Sequence, residues 1–205
     1  MKKSQVETVE TRRKLVDTAS KLLLSRGLAS TSIGDVMSAG EMTQGGFYRH
    51  FASKEKLVAE ANDAASAQLL AALAAAALDK SPRAALDAVV SLYLDSAGQL
   101  SALCSLAGLG SELRHADGEI RSVVMQGHAR MVDFIAGRLQ ALGVPDHGGV
   151  ASAMVSTMVG AVTIARLAVE PATAQAILDK ARKLVAAHTK DCCHSPTLFK
   201  PEHVA

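Results

Sequence analysis

Tryptophan is absent, and the chain carries only two tyrosines and four phenylalanines in 205 residues. Between residues 61 and 190 the aromatics are Tyr93 and Phe134, so no stacking site for a large planar compound is evident there. Cysteine is scarce too: Cys104, Cys192 and Cys193 are too few and too unevenly placed for a disulfide framework, and a reducing cytoplasm is the expected compartment. Charge of one sign is missing as well. The net charge of +2 gives the whole chain no nucleic-acid signature. After Met1-Lys2-Lys3 the sequence turns polar, without the apolar region of a secretory signal. Strand-like alternation of useful length, internal repeats, a phosphate-binding glycine loop, paired carboxylates, a Ser-His-Asp set and metal-ligand spacing are all lacking. No cofactor is expected. Residues 188–194 do bring histidine and cysteine together. Adjacent Cys192 and Cys193 are not a usual chelate spacing, however, and no metal site is expected.

What is abundant is alanine and leucine, which favour helices over sheets. The expected fold class is all-α, with about nine helices. Residues 1–8 read as a loose polar start and Arg12-Arg13-Lys14 as the opening of a first helix. Leu15, Val16, Ala19, Leu22 and Leu23 then follow a single buried stripe, and Gly27 ends the helix. Three cations at a helix N-terminus oppose its dipole, which a DNA phosphate would relieve. Ser30-Thr31-Ser32 can cap a short second helix, with Ser32 and Asp35 spaced as a capping box. Gly40-Glu41-Met42 reads as a turn, and Thr43 as the cap of a third helix through about Phe51.

Ser53 caps a long fourth helix, about 54–78. Pro82 begins a helix to about Ala97, and a weaker, glycine-interrupted segment spans 100–115. Asp117 caps a helix of about 118–142, and residues 146–149 read as a loop. Two more helices follow, 150–169 and about 172–188, and then a tail. The run Val150 to Val169 is long enough to span a membrane, but it contains Ser152, Ser156, Thr157, Thr163 and Arg166. A buried or interface helix is the better reading, and no membrane association is expected.

The stretch Thr43 to Leu57 carries the most chemistry. Two glycines in so short a helix cost about 0.8–1 kcal/mol each against alanine. Gly45 and Gly46 would repay that if the backbone had to approach a major groove closely. Phe47 and Phe51 lie four apart and can dock on the first helix. Gln44 and Arg49 can then pair with adenine and guanine edges. Thr43, Tyr48, His50 and Lys54 suit phosphate oxygens, and Arg12, Thr31 and Ser32 join the same candidate DNA-contact set. Residues 1–60 also hold ten Lys/Arg against seven Asp/Glu, an excess that falls where this stretch is.

The spaced residues Thr43, Gly45, Phe47-Tyr48, His50-Phe51, Ser53-Lys54-Glu55 and Leu57 resemble the signature of the TetR family of bacterial transcriptional regulators. Gly27, Thr31-Ser32-Ile33 and Asp35-Val36 fit the same pattern. One position departs from it. Glu41 stands where a turn glycine is usual, so Glu41 must take a positive φ or the turn must shift. A second, weaker resemblance covers Cys104 to Arg121, including Ser111-Glu112-Leu113, and matches one subgroup of such regulators.

The resemblance implies a homodimer that binds a palindromic operator and represses transcription until a small-molecule effector releases it. The helix-turn-helix domain is then residues 1–60, with its motif at about 32–51. The fourth helix links it to an effector-binding and dimerisation domain, residues 79–205. Candidate pocket residues are Leu92, Leu103, Cys104, Met125, His128, Met131 and Met158. Candidate dimer-interface residues on the apolar helix are Ala153, Met154, Gly160, Ala161 and Ala165. The rival reading is a small helical enzyme or carrier that uses the C-terminal pocket, with the helix-turn-helix as a packing module.

Overall fold

A computed structural model describes residues 5–95 and 103–188. Among them are eight α-helices and one short 3₁₀ helix. The α-helices are α1 (Gln5–Arg26), α2 (Ile33–Ala39), α3 (Lys54–Ala77), α4 (Pro82–Tyr93), α5 (Ser105–Leu113), α6 (Gly118–Ala141), α7 (His147–Ala165) and α8 (Pro171–His188). The 3₁₀ helix is Gln44–Arg49.

Local sequence accounts for most of these boundaries. Ser32 and Asp35 close a complete capping box on α2. Ser53, Ser81 and Asp117 each accept a backbone N–H in the first turn of α3, α4 and α6. Gly27 follows α1 at φ +91 and Gly143 follows α6 at φ +76, the left-handed region that glycine enters freely.

Several boundaries differ from expectation, among them the end of α7, which falls at Ala165 and not at Val169. α1 begins at Gln5 and not at Arg12, because residues 5–11 hold neither glycine nor proline to stop a helix. Arg12, Arg13 and Lys14 therefore lie inside α1, away from the positive end of its dipole. α4 stops at Tyr93, short of Ala97, which is outside the described residues. Residues 147–149 are the first turn of α7 and not a loop, because the Asp146 carboxylate accepts the Gly149 N–H at 3.1 Å and so caps the helix. Residues Gln44–Arg49 form a 3₁₀ helix where an α-helix was expected.

Two hydrophobic clusters organise the molecule. One gathers Leu15, Ala19 and Leu23 of α1, Val36 and Met37 of α2, Phe47, Phe51, and Leu57 and Val58 of α3. Leu109 and Leu113 of α5 and Ile120 and Val124 of α6 complete it. The other holds the later half of α3, all of α4, the start of α5, the later half of α6, and α7 and α8. Helices α3, α5 and α6 thus run through both clusters. Ion pairs fasten α3 to its neighbours: Arg12 with Glu60, Lys56 with Glu119, and Arg130 with Asp63.

α7 is long and apolar enough to cross a membrane by length and composition. One face, including Ala151, Val155, Met158 and Val162, enters the second cluster. The opposite face leaves Ile164 exposed, and Leu167 just after the helix and Leu184 of α8 are exposed as well.

Candidate nucleic-acid interface and interior cavity

The segment from Thr43 to Phe51 is built around its aromatic pair. Phe47 and Phe51 are buried against α1, with ring centroids 5.6 Å apart. That anchoring leaves the rest of the turn outside. Thr43, Gln44, Gly45, Tyr48 and Arg49 are exposed and Gly46 and His50 partly so, with Tyr48 at 73%. The Arg49 guanidinium makes no ion pair among the described residues.

The expected α-helix is instead a 3₁₀ turn, closed by Gly46 N–H to the Thr43 carbonyl at 2.9 Å and His50 N–H to the Phe47 carbonyl at 2.8 Å. Two adjacent glycines remove the helical preference that would hold a wider turn, and six residues are too few to recover it cooperatively. Thr43 correspondingly makes no side-chain cap bond. The space around the glycines is informative. A Cβ on Gly45 would meet nothing within 4 Å, so no internal contact demands glycine there. A Cβ on Gly46 would make only ordinary contacts with Met37, Met42 and Thr43.

Other members of the predicted contact set are placed differently. Arg12 is turned inward: it makes a two-pronged bond to the Glu60 carboxylate, one arm at 2.6 Å, and lies 4.4 Å from the Phe51 ring centroid. Its charge locks α1 to α3 and is not free for a phosphate. Thr31 is buried at 2% exposure, its hydroxyl donating to the Gly27 carbonyl at 2.7 Å. It braces the loop between α1 and α2 and does not face outward. Ser32 is exposed but committed to its capping box. That bonding holds the Asp35 carboxyl below its ordinary pKa. Lys54 occupies the first position of α3, with its ammonium 3.4 Å from the Leu28 carbonyl.

Glu41 takes φ +61, the left-handed conformation that the absent turn glycine would have adopted. Its carboxylate pairs with Lys14 at 2.7 Å, which holds its pKa below the ordinary value.

At the seam between the two clusters lies a cavity with about 30 Å³ of room for water. Four of the candidate pocket residues, Leu103, Cys104, His128 and Met131, line it. The other three pocket candidates do not: Met125 is 56% exposed, Leu92 packs against the second cluster, and Met158 is fully buried within it. Sequence reasoning missed Asn62, Ser66 and Leu69 on the α3 wall, Val124 and Gly127 on the α6 wall, and Val155 and Val159, which form a wall from α7. A Cβ on Gly127 would come within 2.6 Å of the Ser66 hydroxyl oxygen, so this glycine sets how closely α6 approaches α3. Just beyond the cavity, burial against Cys104 raises the Tyr93 pKa and keeps its phenol neutral.

Helix α5 joins the cavity to the N-terminal unit. Its first turn supplies Ser105 and Leu106 to the lining. Near its end, the Glu112 carboxylate accepts the Ala29 N–H at 2.7 Å. The same carboxylate lies where a Cβ on Gly27 would be only 2.6 Å from its oxygen. Glu112 was legible only as part of the Ser111-Glu112-Leu113 resemblance, with no role attached.

Three of the five predicted interface residues are not available to a second copy. Met154, Ala161 and Ala165 are buried in the protomer's own core, whereas Ala153 is exposed and Gly160 partly so. The physical reason is that small and apolar residues surround the whole of α7, and sequence alone does not say which arc the other helices of the same chain take. Cys192 and Cys193 lie outside the described residues. Among the described residues, no group of three or more His, Cys, Asp or Glu could hold a metal ion.

Comparison with known proteins gives the same outline. Residues 15–61 match the family described as bacterial regulatory proteins, tetR family. Over 59 residues the chain is 37% identical to the HTH-type transcriptional regulator AcrR of Shigella flexneri, an alignment covering 29% of this chain and 27% of that protein. It is 32% identical over 59 residues to a probable acrEF/envCD operon repressor of Escherichia coli, with the same coverage. These matches thus span about a quarter of the curated relatives' length. Likeness of fold extends much further. A TetR-family regulator from Streptomyces coelicolor superposes with a TM-score of 0.74 at 21% identity, covering 90% of this chain and 96% of that one. The reduced form of NemR from Escherichia coli gives 0.72 at 19%, covering 89% and 96%. The N-terminal helices thus match the model of the tetR family of bacterial regulatory proteins, and the helical architecture is similar to that of solved TetR-family regulators along almost the whole length.

Proposed function

We propose that the protein is a cytoplasmic, sequence-specific DNA-binding transcriptional regulator that acts as a homodimer, a repressor released from a palindromic operator by a small-molecule effector. The observation that carries this reading is the division of labour in one turn. Phe47 and Phe51 are spent on the core, while Gln44, Tyr48 and Arg49 point outward from a backbone that Gly45 leaves clear. Gln44 and Arg49 are the base-reading side chains. Thr43, Tyr48 and His50 meet phosphates, together with the amides at the start of α3 beside Lys54. The enzyme or carrier reading gives this exposed turn no task.

The dimer would form through the outer faces of α7 and α8, where Ala153 and Gly160 allow close approach and Ile164, Leu167 and Leu184 supply apolar area. Two such turns would then sit about one DNA turn apart, roughly 34–36 Å. Effector binding in the seam cavity would favour a different spacing, because α5 links the cavity wall to the loop before α2 through Glu112.

The test is a gel shift on DNA upstream of the protein's own coding sequence, repeated across a metabolite panel. A sequence-specific shift that a panel member abolishes is expected. No specific shift, together with Tyr48→Ala and Arg49→Ala proteins behaving like wild type, would sink the proposal.

A further inference from the structure

We infer that the seam cavity takes a compact, uncharged ligand, mainly apolar and carrying one or two hydrogen-bonding groups. This rests on reading the cavity as the effector site. No carboxylate, ammonium or guanidinium lines it. Its polar side chains are Asn62, Ser66, Ser105 and His128, and the rest of the wall is aliphatic or sulfur-bearing. Asn62 and Ser105 are nearly inaccessible, at 4% and 9% exposure. The cation nearest the wall, Arg130, is already engaged: it donates to Asp63 at 2.6 Å and stands 3.4 Å from the Ser66 hydroxyl.

A charged ligand entering this space would lose its hydration and find no unpaired carboxylate, ammonium or guanidinium on the wall, a penalty that apolar contacts do not offset. A neutral ligand loses far less, and its one polar group can be satisfied by Asn62, Ser105 or His128. The cavity's room is enough for only about one or two waters. Any organic ligand must therefore widen the seam between α3, α5 and α6, the helices shared by both hydrophobic clusters. Occupancy and a change in the N-terminal unit are consequently linked.

The experiment compares three probes of one shape: benzyl alcohol, benzylammonium and benzoate, each at equal millimolar concentration with the full-length protein. Thermal shift reports binding whether or not the protein binds DNA, and a parallel gel shift reports release. Benzyl alcohol should raise Tm by about 2 °C or more near saturation, with both ions well below it. Ser105→Asp, which puts a carboxylate at the favourable start of α5, should transfer the preference to benzylammonium. Val159→Phe, which fills part of the cavity, should abolish the benzyl alcohol response. The inference is overturned if either ion stabilises wild type as well as benzyl alcohol does, or if none of the three shifts Tm. It is also overturned if Val159→Phe still responds, or if folded Ser105→Asp keeps the wild-type order. Should Ser105→Asp not fold, the wild-type ranking and Val159→Phe decide. A clear probe ranking in a protein that shifts no DNA would leave the ligand class standing and remove the regulator reading.

Discussion

The 3₁₀ turn and the seam cavity are opposite solutions to placing chemistry on a helical frame. In the turn, the apolar residues face in and the polar ones face out, so a partner meets them with almost no rearrangement. In the cavity, polar groups on α3, α5 and α6 face one another across a gap smaller than any organic ligand, so a partner must first part the helices. The turn suits recognition of a large, preformed surface. The seam would suit a switch if it takes an effector, because filling it would strain helices that both hydrophobic clusters share.

The sharpest break of this comparison is Arg49→Ala. The side chain is exposed and pairs with nothing described, so Tm should stay within about 1 °C. Operator affinity should fall roughly 5- to 150-fold, the loss expected for one bidentate base contact. Fluorescence anisotropy on specific and scrambled DNA measures both the drop and the specificity. A Tm loss without an affinity loss would make the turn structural and erase the contrast.

Gly127→Ala probes the other side. The added Cβ meets the Ser66 hydroxyl oxygen at 2.6 Å, so α6 must move from α3 or Ser66 must turn away. Overpacking of this kind costs about 1–3 kcal/mol, read by denaturant unfolding. Adding Ser66→Gly should restore most of the loss. If the two changes are simply additive, the seam is not the tight contact described. Glu112→Ala tests the bridge between the regions. It leaves the Ala29 N–H without its acceptor, at a cost of about 1 kcal/mol, which appears as an approximately fivefold loss of DNA affinity if that loop positions the turn. Glu112→Gln, which keeps an acceptor, should recover part of the loss. Unchanged affinity in both variants would confine Glu112 to a structural cap.

How far each region could be read from sequence differs for the same reason. The outward turn is a local construction. Phe47 and Phe51, the Ser32–Asp35 box and the Ser53 cap are short-range patterns, and the sequence shows them directly. Even the departure at Glu41 was legible as a demand for positive φ or a shifted turn, and the chain takes the first, at +61. What escaped there was the fate of individual side chains. Arg12 looks like a phosphate ligand until Glu60, 48 residues away, is seen to hold it. The helix type escaped too, because a glycine pair weakens an α-helix without saying what replaces it. The cavity is a non-local construction from α3, α5, α6 and α7. Its apolar candidates were guessed by residue type, so the exposed Met125 was included and the small residues Ser66 and Gly127 were passed over. The face of α7 left for a second copy depends likewise on which arc α6 and α8 cover.

The smallest expected effect concerns the local device that sequence read best. In the folded chain, Asp35 accepts hydrogen bonds from the Ser32 hydroxyl and backbone N–H, and these lower its pKa below the ordinary 3.8. The carboxylate form is therefore favoured by folding. Its contribution is fully present above the unfolded pKa and is lost as pH falls through the lowered folded value. Asp35→Asn should be slightly less stable than wild type at pH 6, and the two melting curves should converge toward pH 3 and below. Because Asp35 is at the protein surface, the difference should also shrink in high salt, though not vanish, since the hydrogen bonds to Ser32 persist. A gap that stays constant from pH 6 to pH 2 would mean that residue 35 acts through helix propensity alone. The cap on α2 would then owe nothing to charge.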